Sequence, residues 1–136
     1  MSYMLDTNIC IYYMKKKCPA IMEKIKQHFI ENRICISAIT LAELEYGVAK
    51  SRAVEKNMDA LYRFLSVINI IPFGDEASFC YGKIRASLER SGTPIGPLDM
   101  LIAAHALASD RILVTNNVKE FKRVANLRIE NWVSTN

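Results

Sequence analysis

Three acids in this chain stand where a carboxylate can do chemistry. Asp6, Glu43 and Asp99 each lie beside an apolar segment, at a strand end or a helix start. If a fold gathers them, three carboxylates share a small volume. Bare like charges that close repel and raise one another's pKa. A divalent cation among them removes the conflict, and hard oxygen ligands of this kind suit Mg²⁺ or Mn²⁺. Mg²⁺ keeps several waters, so a few carboxylates serve without a closed protein cage. Such a centre can hydrolyse a phosphodiester, by activating water and neutralising charge that grows on the phosphate. Each acid also has a plainer reading. Asp6 and Asp99 can N-cap the helices that follow them, and Glu43 can close a capping box with Thr40. Glu45 sits on the same helix as Glu43, and spacing alone does not choose between the two.

The elements that must position these acids are legible as short apolar runs alternating with helical stripes. Tyr3 to Leu5 reads as a buried strand ending at Asp6. Thr7 can cap a helix through Ile9, Ile11 and Tyr12. Pro19 suits the first turn of the next helix, which runs to about Glu31 with Ile21, Ile25 and Phe29 on one face. Arg33 to Ser37 is a second strand, and a helix resumes at Thr40 with Leu41, Leu44 and Val48 as its stripe. Further helices are expected over Val54–Ile68 and Asp75–Arg90, the latter stopped by Gly92, with a strand at Ile70–Phe73 between them. The loop Thr93–Pro97 precedes a helix over Leu98–Ala108. Ile112–Thr115 is a fourth strand, followed by a short helix around Lys119–Val124 and a weak strand near Leu127–Ile129.

This alternation implies βαβ units and a parallel sheet covered by helices on both faces. In open α/β sheets the ligand site lies beyond the carboxyl ends of the strands. Asp6, Ser37, Thr115, Asn116 and Asn117 fall at such ends, and Asp99 opens a helix after a Gly-Pro loop. With 136 residues, the chain is expected to be one domain over positions 1–136. Its 51% apolar and 24% charged residues are those of an ordinary globular protein. No apolar run is long enough to span a bilayer, and no basic flank or cleavage site marks a signal peptide, so a cytoplasmic location is the expectation. The four cysteines, Cys10, Cys18, Cys35 and Cys80, match no zinc or redox spacing and read as reduced and structural. A net charge of +4 is compatible with a nucleic-acid partner and equally with a solvated surface.

Strings around the acids resemble the motifs of PIN-domain ribonucleases of the VapC toxin type. M-L-D-T-N at Met4–Asn8 looks like the family's opening. S-A-I-T-L-A-E-L-E-Y-G at Ser37–Gly47 is similar to its second motif, in which the acid precedes Leu and a Gly follows four residues after it. That resemblance selects Glu43 over Glu45. G-P-L-D-M-L-I-A-A-H-A at Gly96–Ala106 resembles the third motif with Asp99 as its acid, L-V-T-N-N-V-K-E-F at Leu113–Phe121 the fourth, and R-I-E-N-W at Arg128–Trp132 the usual chain end. The resemblance covers essentially the whole chain.

What it implies is an α/β fold, a PIN-like α/β/α sandwich with a five-stranded parallel sheet. It also implies a Mg²⁺- or Mn²⁺-dependent endoribonuclease toxin of a type II toxin–antitoxin system, cutting structured RNA, typically tRNA in the anticodon loop. Asp6, Glu43 and Asp99 would be the metal ligands, with Thr7 and Thr115 as polar support. Implied partners are a VapB-type antitoxin, operator DNA only through that antitoxin, and a second copy of the chain in a homodimer and larger assemblies. One departure is Asn117, where many PIN domains carry Asp. An amide oxygen can ligate Mg²⁺ but brings no charge, and Glu120 one turn on is the alternative source of a carboxylate, unless it is a solvated helix residue. Asn117 also favours a second reading, a catalytically weak module that binds RNA or the antitoxin. A third, aspartyl-phosphate transfer on Asp6, wants a second Asp two residues on and meets Asn8 instead. His105 reads as packing, and Arg85 is the basic residue best placed to contact substrate or inhibitor.

Overall fold

A computed structural model describes residues 2–133. The elements alternate as the apolar pattern requires: β1 (Tyr3–Leu5), α1 (Thr7–Met14), α2 (Pro19–Phe29), β2 (Ile34–Ser37), α3 (Ala38–Ala49), α4 (Val54–Leu65), β3 (Asn69–Ile71), α5 (Asp75–Arg90), α6 (Pro97–Ala108), β4 (Ile112–Val114), α7 (Val118–Phe121) and β5 (Ile129–Glu130). The five strands form one parallel sheet in the order β3-β2-β1-β4-β5.

Alternation along the strands assigns the two faces. Tyr3, Leu5, Ile34, Ile36, Ile112 and Val114 point into a core shared with α1 to α4. Met4, Cys35 and Leu113 point the other way, into a core built with α5, α6 and α7. Side chains one apart on a strand face opposite sides of a sheet, so a strand of three or four apolar residues feeds both layers. The central strands β1, β2 and β4 are accordingly buried throughout. The resulting α/β/α sandwich agrees with the fold expected from the sequence. All four cysteines are free, with Cys10 and Cys35 fully inside.

Several element ends differ from the sequence reading. The cap of α1 is Asp6, whose Oδ1 accepts the Ile9 amide at 2.9 Å; Thr7 is the first helical residue and its hydroxyl is turned elsewhere. No capping box forms between Thr40 and Glu43. Strand β2 runs into α3 without a loop, and Ser37 both ends the strand and caps the helix, accepting the Ile39 amide at 3.1 Å. Thr40 is thereby buried in the first turn, and Glu43 is carried into the body of the helix. Strand β3 stops at Ile71 because Pro72 has no N–H to give the ladder, and as an edge strand it is largely exposed. The short helix and last strand also shift, to Val118–Phe121 and Ile129–Glu130.

At the carboxyl edge of the sheet the strands hand one another into place. The Asp6 amide donates to the Val114 carbonyl at 3.0 Å, and the Thr115 amide to the Glu130 carbonyl at 3.0 Å. Strand β1 has β2 on one side and β4 on the other, so the connections leave it in opposite directions. That switch point is where an open α/β sheet leaves a crevice.

Candidate active site

Asp6 leaves β1 directly into this crevice and is only 5% exposed. Burial pushes its carboxyl above the ordinary range, against the pull of the Thr115 hydroxyl and the Ile9 amide, and the charge of Glu43 pushes the same way. Thr115 is itself buried at the end of β4. Its oxygen accepts the Asn117 amide at 2.9 Å, so one hydroxyl ties the turn after β4 to the carboxylate at the end of β1.

Glu43 reaches the crevice from the middle of α3. The Thr7 hydroxyl donates to its Oε1 at 2.6 Å and lies 3.4 Å from the Thr40 hydroxyl. Thr7 therefore supports Glu43 rather than capping its own helix. Glu45, two positions on, is exposed, and the helix alone explains why: residues two apart lie on different faces.

Asp99 sits in the first turn of α6, after Gly96 as N-cap and Pro97 at the first helical position. It is not the N-cap, and Gly96 in that place has no side chain to cap the helix. Its carboxylate folds back over the start of the helix, where a Cβ on Gly96 would stand 3.4 Å from Oδ2. Its pKa is raised to about 6, first by burial and then by the charges of Asp6, Glu43 and Glu120. Four acids from α1's cap, α3, α6 and α7 thus feel one another across the crevice. Glu120 is held by the Asn117 side-chain amide, which donates to its Oε2 at 3.0 Å. Asn117 presents its nitrogen to Glu120, and the carboxylate there comes from Glu120.

The structure brings together Asp6, Glu43, Asp99, Glu120, Thr7, Thr115 and Asn117. Among the described residues no three His, Cys, Asp or Glu side chains yet enclose a point where an ion could sit. Repulsion among bare carboxylates works against such closeness, and Glu43 and Glu120 each turn to a neighbouring donor. The donor set still fits a hard divalent cation: all-oxygen, acidic, and destabilised by its own charge. Nucleases of the PIN family generally use divalent metal ions.

His105 lies outside this group. It is buried, with Nδ1 2.7 Å from Ser37 Oγ and its ring edge-on to Phe73. Burial pushes its pKa down, so it serves packing as a neutral ring. Ser37 thereby caps α3 and ties α6 to it. No motif or spacing signals this pair, since the partners meet only when β2 and α6 pack. Arg85 is exposed on α5 and occupied with Tyr81 at 2.9 Å and Glu89 at 3.6 Å. No helix among the described residues is long and apolar enough to cross a membrane.

Comparison with known proteins is consistent along the whole chain. Residues 3–127 match the PIN domain family. Ribonuclease VapC2 of Rickettsia felis is 49% identical over 97% of this chain and 98% of its own length. The tRNA(fMet)-specific endonuclease VapC of Salmonella typhimurium is 43% identical over the same shares. The crystal structure of VapBC2 from R. felis bound to a promoter DNA fragment superposes with a TM-score of 0.92 at 48% identity, over 97% of this chain and 99% of the other. With near-complete coverage at these identities and acids gathered at the switch point of a PIN sheet, the chain belongs to the VapC ribonucleases of the PIN-domain family.

Proposed function

We propose that this protein is a Mg²⁺-dependent endoribonuclease toxin of a type II toxin–antitoxin system, acting in the cytoplasm on tRNA in the anticodon loop. The observation that carries the metal-dependent reading is the state of Asp99. A half-buried carboxyl set beside three other acids, and lifted to about 6 first by burial and then by their charges, is a group in want of a cation. Asp6, Glu43 and Asp99 would hold the ion, with Glu120 adding charge at the side where Asn117 has none; Mn²⁺ meets the same donor set.

A divalent cation bound there supplies positive charge against the phosphate and lowers the pKa of water. The chain's own residues do the rest. Thr7 holds the Glu43 carboxylate in one orientation. Thr115 orients Asp6 and the turn that carries Asn117. Asn117 fixes Glu120. The rigid junctions of β1 with α1 and β2 with α3 carry Asp6 and Glu43 without an intervening flexible loop, which suits a centre that acts by positioning.

The relative from S. typhimurium bears the name of a tRNA(fMet)-specific endonuclease, and that tRNA is the first substrate to try. Three solved relatives are VapBC complexes, two of these on DNA. By the same likeness this chain would take a VapB-type antitoxin, reach operator DNA through it, and form a homodimer as a single PIN domain. The test is cleavage of a total tRNA pool by purified, antitoxin-free protein. Discrete cutting with Mg²⁺, lost with EDTA and lost in Asp99→Asn, is the expected result. No cutting by folded wild type in Mg²⁺ or Mn²⁺ would overturn the reading.

A further inference from the structure

Helix α3 carries more than Glu43 on the side where Glu43 stands. Glu43, Tyr46, Gly47 and Lys50 follow at helical spacing and share one side. Glu43, Gly47 and Lys50 line a cleft of about 300 Å³ between α1, α3 and α4, with Lys15 on its α1 wall. Tyr46 stands beside that cleft, 65% exposed. The Lys50 ammonium lies 4.8 Å from the centre of its ring, so one lysine borders both the cleft and the aromatic face.

A single exposed tyrosine is ordinary on a protein surface. This one has a cation on its ring and a carboxylate of the acidic site one helical turn away, where side chains stand about 5–6 Å apart at Cβ. An acidic centre repels the polyanion it must cut, and flanking cations supply the missing attraction. Unpaired bases stack on exposed aromatic rings, whereas bases inside a duplex are not free to do so.

We propose that Tyr46 and Lys50 form a platform for one unpaired nucleotide of the RNA substrate, its base stacking on the ring and its phosphate meeting the ammonium. Lys15 across the cleft takes a second phosphate. The platform places a single-stranded segment beside the acids and selects a loop over a duplex. Stacking accepts any base, so it selects the kind of site and not its sequence. The inference rests on the reading that RNA is cut at the acidic centre.

The test uses antitoxin-free protein and an anticodon stem-loop with 2-aminopurine in the loop, whose fluorescence falls on stacking. Tyr46→Leu is expected to raise KM about tenfold or more, with kcat little changed, and to abolish the quenching measured in an Asp99→Asn background. Tyr46→Phe restores both. Lys50→Gln raises KM and flattens its dependence on salt. Melting temperature and a Mn²⁺ titration stay as in wild type for all three. An unchanged KM in Tyr46→Leu overturns the proposal. So does a Tyr46→Phe protein as impaired as Tyr46→Leu, since the hydroxyl and not the ring would then matter. Loss of antitoxin affinity with RNA handling intact would make this face a protein contact instead. If wild type cuts nothing yet quenches in a Tyr46-dependent way, the nuclease reading fails and the platform stands.

Discussion

Asp99 is the residue at which electrostatics bears most directly on the proposed function. Its carboxyl is raised to about 6 from the ordinary 3.8, so between those pH values the folded protein holds a proton there that the unfolded chain has released. The contribution of Asp99 to the stability of the metal-free protein therefore falls as pH rises from about 4 to about 6, and the penalty is fully present above that. Asp6 acts in the same direction, while His105, lowered by burial, acts in the opposite one. Asp99→Asn removes only the first contribution. Melting temperatures in EDTA between pH 4.5 and 7 should decline less steeply for Asp99→Asn than for wild type, and the variant should be the more stable of the two at pH 7. Equal slopes would mean that Asp99 does not feel its neighbours. A cation competes with the proton for the same carboxylate, so Mg²⁺ affinity of the wild type should weaken as pH falls through about 6.

Among the elements, α5 shows how a helix end is stopped so that the next can start in the right place. The Gly92 amide donates to Glu89 and the Thr93 amide to Leu88, the paired bonds of a Schellman close. That close needs a left-handed residue, and Gly92 has φ +68°. Gly92→Ala meets no steric neighbour but places a Cβ in the left-handed region, at a cost of about 1–2 kcal/mol. An unfolding free energy from urea titration lowered by that amount, with cleavage per folded molecule unchanged, is the expected outcome. A variant as stable as wild type would mean that the turn relaxes to another conformation. Capping is also where the sequence misleads. The T-x-x-E pattern at Thr40 suits a capping box by composition, yet Ser37 takes the cap because β2 ends there in register with β3.

For the whole molecule, the acids sit at the meeting point of four elements, so binding of the proposed ion would be coupled to folding. An ion that binds only the native arrangement stabilises it by about 2.7 kcal/mol at a hundredfold excess over Kd. Mg²⁺ should raise the melting temperature of wild type by several degrees, in proportion to that stabilisation. EDTA should return it to the metal-free value, and Asp6→Asn or Asp99→Asn should blunt the response. Calorimetry with and without the ion tests this without reference to activity, and an identical shift in both variants would place the ion elsewhere.

The amino-acid sequence alone determines the layers of this protein, because short apolar strands alternating with helices bury both their faces in a parallel sheet covered on each side. It also marks Asp6, Glu43 and Asp99 as acids in special places, since each breaks an apolar segment at an element's end or within a recognisable motif. It does not separate Glu43 from Glu45 by spacing alone, nor Thr7 as a cap from Thr7 as a support. Those assignments depend on which side of α3 faces β1, and that is a matter of packing between residues far apart in the chain. The same holds for Asn117 and Glu120, whose side-chain hydrogen bond gives the carboxylate to Glu120, for Ser37 and His105, and for Lys50 over Tyr46. Local pattern decides which residues are buried and where elements lie; only the tertiary structure decides which polar groups meet, because charge and hydrogen bonding act over a few ångströms of space and not along the chain.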